Sequence, residues 1–248
     1  MRDYKANYLL LIEYDGTGFA GWQRQPRCRT IQAEIEAASR KLFKGDVMLT
    51  GTGRTDAGVH ALQQAANLLA MHSLEPRRLR LGLNALLPED IAIISVKKEA
   101  LSFHSRYAAK GKVYEYRIWN HQFRTVWYKH AWHVPFPLDI AAMRKAASYC
   151  IGVQDFKAFH AAGGTQENTV VSMQDIRIRR HQGALIITFK ADRFLYKMIR
   201  NIVGTLVEVG KGKITSERFK EVLKRKDRRF AGRTAPPHGL FLKKVFFK

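Results

Sequence analysis

Apolar residues first gather between Asn7 and Tyr14, a run of strand length closed by Asp15 and a glycine-rich segment reaching Gln25. From Thr30 the period changes. Ile31, Ile35, Ala38 and Leu42 recur at helical spacing, with Thr30 placed to cap the helix and Gly45 to stop it. Val47 to Leu49 and Gln63 to Ala70 read as strands on either side of a second glycine-rich turn. Pro76, at a first helical position, opens a helix ending near Leu86, and Ile91 to Val96 supplies another strand. The resulting order, β-α-β-β-α-β, is that of a ferredoxin-like unit.

The second half opens on Lys112 to Trp119, where Tyr114, Tyr116 and Ile118 alternate with Val113, Glu115 and Arg117 as on a strand. Pro135 and Pro137 precede a helix from Leu138 to Tyr149, and a polar, glycine-bearing loop runs on to Asn168. Strands Val171 to Arg180 and Ala184 to Lys190 flank Gln182 and Gly183 as a hairpin. Helices are expected at Leu195 to Val209 and Thr215 to Lys226, then a strand at Leu240 to Phe247. The pattern predicts an α+β protein of two halves, residues 1–106 and 107–248. With no repeat or low-complexity linker between them, a shared sheet or a tight interface is expected.

At 248 residues, with 46% apolar and 11% aromatic side chains, the chain can build a core, which argues against a disordered basic tail. Its formal net charge of +22 calls for a polyanion: nucleic acid, with an anionic membrane surface as the weaker alternative. The charge is uneven. Residues 1–96 carry a net +2, whereas 97–133 carry +6 and 193–233 carry +9. The two basic stretches interleave lysine and arginine with Phe103, Tyr107, Tyr114, Tyr116, Trp119, Phe194, Tyr196 and Phe219, a mixture suited to phosphate contacts beside base stacking. Any single lysine there reads better as a solvated surface residue; the ensemble is what points to nucleic acid.

Other classes fall away. Cys28 and Cys150 form no C-x-x-C pair and no disulfide framework, which predicts a reducing, cytoplasmic setting. The apolar run Tyr8 to Ile12 is too short for a signal sequence, and no stretch approaches the ~18 apolar residues that span a bilayer. His130 and His133 lack companion ligands and read as structural or RNA-facing, so no metal is expected. Gly16 to Gly21 matches G-x-G-x-x-G, but Trp22, Gln23 and Pro26 separate it from the helix that a dinucleotide site requires. A mobile RNA-contacting loop is the better reading. The ATP-binding string G-x-x-x-x-G-K-[ST] is absent, and no cofactor is expected.

The most informative segment is Gly51 to Ala61, G-T-G-R-T-D-A-G-V-H-A, where glycines let the backbone around Asp56 approach a ligand closely. Alone, an Asp in such a turn is more often a turn-capping carboxylate than a catalytic one. This string, preceded by Y-D-G-T-G-F-A-G-W-Q from Tyr14, resembles the tRNA pseudouridine synthase A family. Further matching strings follow in order: L-N-A-L-L-P-E-D-I from Leu83, F-H-S-R-Y from Phe103, K-V-Y-E-Y from Lys112, D-F-K-A-F from Asp155, F-L-Y-K-M-I-R-N-I-V-G from Phe194, and A-P-P-H-G-L ending at Leu240.

The resemblance implies a pseudouridine synthase fold, two ferredoxin-like (RRM-like) halves sharing a mainly antiparallel sheet with flanking helices. It implies that Asp56 is the nucleophile, that Tyr114 stacks on the target base and takes its C5 proton, and that Arg200 is the basic partner of the aspartate. Leu240 would pack on the uracil and Arg54 would hold the flipped nucleotide. A carboxylate entering a desolvated pocket needs such a cation to stay ionised. Lys112, Arg106, Lys197 and Arg24 are candidate RNA contacts. Lys197 and Ile199 stand where other members carry His and Val. The implied reaction converts uridine to pseudouridine at positions 38, 39 and 40 of the tRNA anticodon stem-loop, without metal or cofactor, in a homodimer. A non-catalytic RNA-binding protein on the same scaffold, or an RNA N-glycosidase using Asp56, are the competing readings.

Overall fold

The computed structural model describes residues 4–164 and 167–247. Along the chain the elements are β1 (Ala6–Tyr14), α1 (Ile31–Phe43), β2 (Val47–Gly51), β3 (His60–Ala70), α2 (Pro76–Leu86), β4 (Ile91–Glu99) and the single turn α3 (Ser105–Ala108). Then come β5 (Gly111–Trp119), β6 (Trp132–His133), α4 (Ile140–Ser148), β7 (Gly152–Asp155), β8 (Val170–His181), β9 (Ala184–Ala191), α5 (Met198–Gly210), α6 (Ser216–Arg225) and β10 (Leu240–Phe246). They form two compact units, one of residues 1–110 with 241–248 and the other of 111–240. The final strand, counted with the second half on sequence, thus clusters with the first.

In the first unit β1 lies between β4 and β3, and β2 pairs with β3, all antiparallel, as the ferredoxin-like order predicts. Tyr8, Leu10 and Ile12 of β1 are fully buried, as are Ile31 and Ile35 of α1 and Leu79 and Leu83 of α2. Each such aliphatic side chain contributes about 1.5–3 kcal/mol on leaving water. Thr30 caps α1 by accepting from Ala33 N–H at 3.4 Å, but Lys44, at φ +48°, takes the left-handed stop expected of Gly45. The edge of β3 is shared. Its later residues, Ala66 to Ala70, pair with β2, whereas His60 and Ala61 pair in parallel with Phe241 and Leu242 of β10. The loop carrying Asp56 leaves the sheet between those two pairings.

The second unit has the strand order β5-β9-β8-β7, antiparallel throughout, with β6 added in parallel to β5. Helices α4, α5 and α6 flank it, around fully buried Met143, Phe156, Phe159, Ile202, Leu206 and Phe219. Two expectations fail here. The polar loop before Asn168 contains β7, whose four residues show no apolar alternation because it is an edge strand held mainly by backbone bonds to β8. Helix α5 starts at Met198, three residues late, because Lys197 adopts a left-handed φ of +55°.

Candidate active site

The Asp56 loop is held from several sides. Thr52 donates through both its N–H and its hydroxyl to Ala65 O, each at 2.8 Å, fixing the exit from β2. Gln64, fully buried on β3, donates to Gly53 O at 3.0 Å while its Oε1 accepts from Ala65 N–H. Tyr14, at the end of β1, meets Thr55 Oγ1 at 2.8 Å in a buried bond. Burial pushes the Tyr14 phenol well above its ordinary pKa, against the smaller opposing effect of bonds to Thr55 and Gln64, so it stays neutral.

The glycine-rich segment after β1 clamps the same loop from another side. Trp22 N–H donates to Thr55 O at 3.1 Å, and Gly21, at φ +98°, approaches so closely that a Cβ there would lie 2.7 Å from Thr55 O. Phe19 and Trp22 are buried, Arg29 lies over the Phe19 ring at 4.1 Å, and Arg29 also holds Asp90 through two bonds of 2.7 and 3.0 Å. The aromatic residues of this segment turn inward and its backbone braces Thr55, next to Asp56, while residues 23–29 are exposed. On this platform Asp56 is half-buried and Arg54 is exposed. His60 accepts from Gly16 N–H at Nδ1, 3.1 Å, and stacks on Phe241 at 4.7 Å.

Loss of the Tyr14 hydroxyl should be felt locally. Tyr14→Phe leaves Thr55 Oγ1 without that partner in a buried place, and a stability loss of about 1–2 kcal/mol is expected in urea denaturation.

The second unit carries the other predicted residues. Tyr114 is buried on β5 and meets Phe194 edge-on at 5.0 Å. Arg200, in the first turn of α5, is gripped by the segment after α6: its Nε donates to Ala235 O at 2.8 Å, and Ala235 N–H donates to Arg200 O at 3.0 Å. The same segment closes over Tyr116, which donates to Pro236 O at 2.8 Å. Burial raises the Tyr116 phenol far above its ordinary value, and the positive charges of Arg200 and Arg233 only partly offset this. His238 is pushed down, first by burial, with the Arg200 charge acting in the same direction and a bond involving the Ala131 backbone opposing. Leu240 is buried at the start of β10.

Of the four candidate RNA contacts, Arg106 is exposed on α3 and Lys112 is half-buried on β5. Lys197 lies over the Tyr196 ring at 4.9 Å. Arg24 bonds Glu36 at 3.2 Å, a carboxylate that also holds Arg40.

Sequence reasoning missed the polar scaffolds beneath these residues. Gln64 is one. Asn201 is another: fully buried one residue after Arg200, it donates to Phe159 O and accepts from Arg228 at 3.0 Å and Thr234 at 2.7 Å. The available signal was a polar residue inside an otherwise apolar strand or helix, since such a group is tolerated only when bonded.

A family model described as tRNA pseudouridine synthase matches residues 10–108 and 146–248. Proteins named tRNA pseudouridine synthase A from Thermoanaerobacter sp. (strain X514) and Acetivibrio thermocellus are 43% and 42% identical to this chain over 242 residues, 97% of this chain and 99% of each relative. One named tRNA pseudouridine synthase A 2, from Clostridium perfringens, is 43% identical over the same span. Likeness at this level along nearly the whole length places the chain in the tRNA pseudouridine synthase family.

Proposed function

We propose that this chain isomerises uridine to pseudouridine at positions 38, 39 and 40 in the anticodon stem-loop of tRNA, with Asp56 as the nucleophile. The supporting observation is the Asp56 loop: a half-buried carboxylate on a backbone clamped by Tyr14, Gln64 and Trp22, within a chain of this family. The reaction is an isomerisation and consumes nothing. The N1–C1′ bond breaks, the uracil turns, the C5–C1′ bond forms, and the C5 proton is lost as N1 gains one. Asp56 would act at C6 of the base, at C1′ of the ribose, or on the C2′ proton, and each route needs it ionised.

Tyr114 takes the stacking role and Arg200 the charge-supporting role. The reciprocal bonds with Ala235 give Arg200 a fixed position before substrate arrives, which lowers the cost of ordering it. Leu240 packs on the uracil and Arg54 steadies the extruded nucleotide, whose unstacking costs a few kcal/mol. The basic surface, including Lys112, Arg106, Lys197 and Arg24, offsets part of this through the tRNA backbone. The working form is a homodimer in the cytoplasm. Among the described residues no helix is long and apolar enough to cross a membrane.

The test is pseudouridine mapping by carbodiimide-modified primer extension on unmodified tRNA transcripts incubated with the protein. New stops at positions 38 to 40 are expected. Binding without tritium release from C5-labelled uridine would instead mark a passive RNA-binding protein, and free uracil with an abasic site would mark a glycosidase.

A further inference from the structure

After β5 the chain makes an arm, residues 120–131, before returning as β6, and this arm is built of rings. The Tyr128 and Trp119 rings stack at 4.6 Å and 17°, Trp119 and His121 stack at 5.4 Å and 29°, and Phe123 continues the series 6.1 Å from His121. The series is braced. Trp119 Nε1 donates to Phe123 O at 2.8 Å, Phe123 N–H donates to His121 Nδ1 at 3.1 Å, and His133 Nε2 lies 2.9 Å from His121 O. At the other end Tyr128 donates to Gln182 O at 2.6 Å in the β8–β9 turn. There a Cβ on Gly183 would strike the Trp119 ring at 2.8 Å, so glycine lets the turn close over the indole.

This scaffold holds outward two rings that bury little in the chain itself: Phe123 is 66% exposed and Trp127 88%. Side chains of that size and exposure call for a partner. The charge around them selects its chemistry. No Asp or Glu occurs from Tyr116 to Leu138, while Arg124 and Lys129 do, and Arg179 and Arg180 are exposed beside the β8–β9 turn; Arg117 is paired with Glu115 at 3.0 Å. A second copy docked arm to arm would bring the same acid-free, basic segment against this one, and like charges oppose that particular contact. Unpaired RNA offers what the arm lacks: phosphates for the cations and flat bases to extend a column of rings.

We infer that the arm is a stacking platform for unpaired bases of the RNA substrate, with Phe123 and Trp127 as the stacking rings and Arg124 and Lys129 as the phosphate contacts. The inference rests on the reading of the protein as a tRNA enzyme but uses none of the residues assigned to its chemistry. It makes the arm a recognition element, so its loss should appear in binding.

The test compares Trp127→Ala, Phe123→Ala and Val126→Ala in the full chain. Titrations use unmodified tRNA transcript and a single-stranded oligouridylate at fixed salt, and tritium release gives the kinetics. Each ring deletion is expected to weaken RNA binding roughly five- to hundredfold, the range for one lost base stack. KM should rise in parallel, with the rate at saturating tRNA within twofold, and Trp127→Phe should recover most of the loss. Val126, 82% exposed but without a ring, is the control, and its removal should change binding less than twofold.

Undiminished RNA affinity in both ring variants would overturn the inference. So would an equal loss in Val126→Ala accompanied by dissociation of a dimer in light scattering, which would make the arm a subunit contact. If the wild-type protein forms no pseudouridine yet loses oligouridylate binding on ring deletion, the enzymatic reading fails and the platform stands.

Discussion

Asp56→Asn is expected to abolish pseudouridine formation, lowering the rate by a factor on the order of 10⁴ or more, while tRNA binding changes little. The substitution keeps the size of the side chain and removes the negative charge and the nucleophilic oxygen. The bonds described above that shape the loop, through Thr52, Gly53 and Thr55, and that of the Asp56 backbone carbonyl, which accepts from Val59 N–H at 3.1 Å, do not involve the substituted atoms. Removing a nucleophile typically costs this much when it acts as part of a unit. Single-turnover tritium release at saturating protein isolates the chemical step. A residual rate within a hundredfold of wild type would remove Asp56 from the nucleophile's role and leave the turn-capping reading.

Gly204→Ala is the second large effect, and its sign runs against helix propensity. Alanine in a helix interior is ordinarily preferred over glycine by about 1 kcal/mol. At this position in α5, however, an added Cβ would sit 1.7 Å from Arg233 O and 2.9 Å from its carbonyl carbon. Both are backbone atoms that no rotamer change can move aside. The segment after α6 would have to lift, and it is tied to α5 by several bonds: Arg200 to Ala235 in both directions, Gly232 N–H to Thr205, and Thr234 to Asn201. A net destabilisation of about 2–3 kcal/mol is expected from overpacking, read as a lower Tm. Because the lifted segment is also the one that orients Arg200, the rate should fall at temperatures where the variant is still folded. Gly212→Ala is the comparison: φ is +69° but nothing lies within 4 Å, so only the cost of the left-handed backbone, about 1 kcal/mol, is expected.

The pattern of the first hundred residues was legible because local signals and burial agreed. The alternation of β1, the period of α1 and Pro76 at the head of α2 each reported the same layered unit that the pairing then built. Legibility failed where backbone, not side chain, made the structure. The edge strand β7 carries no alternation, and Lys197 takes a left-handed conformation that its identity does not announce. The glycine string around Asp56 could be read as a close-approach turn, and the ordered strings gave its family. The Tyr14, Gln64 and Asn201 supports could not be read, because a buried polar residue gains its meaning from partners distant in sequence: Thr55 lies 41 residues from Tyr14, and Thr234 lies 33 from Asn201.

The shared edge of β3 bears on how such a molecule is assembled. The residues that flank the Asp56 loop at the sheet, His60 and Ala61, find their parallel partners only in Phe241 and Leu242, across most of the chain. The first unit is therefore discontinuous in sequence, and the second is inserted between its α3 and β10. A fragment ending at residue 110 would present an unpaired strand edge beside the loop, a template for aggregation. In the intact chain that long-range closure carries a high entropic cost and should come late in folding. The order of events would complete the aspartate's platform only after the inserted unit has formed.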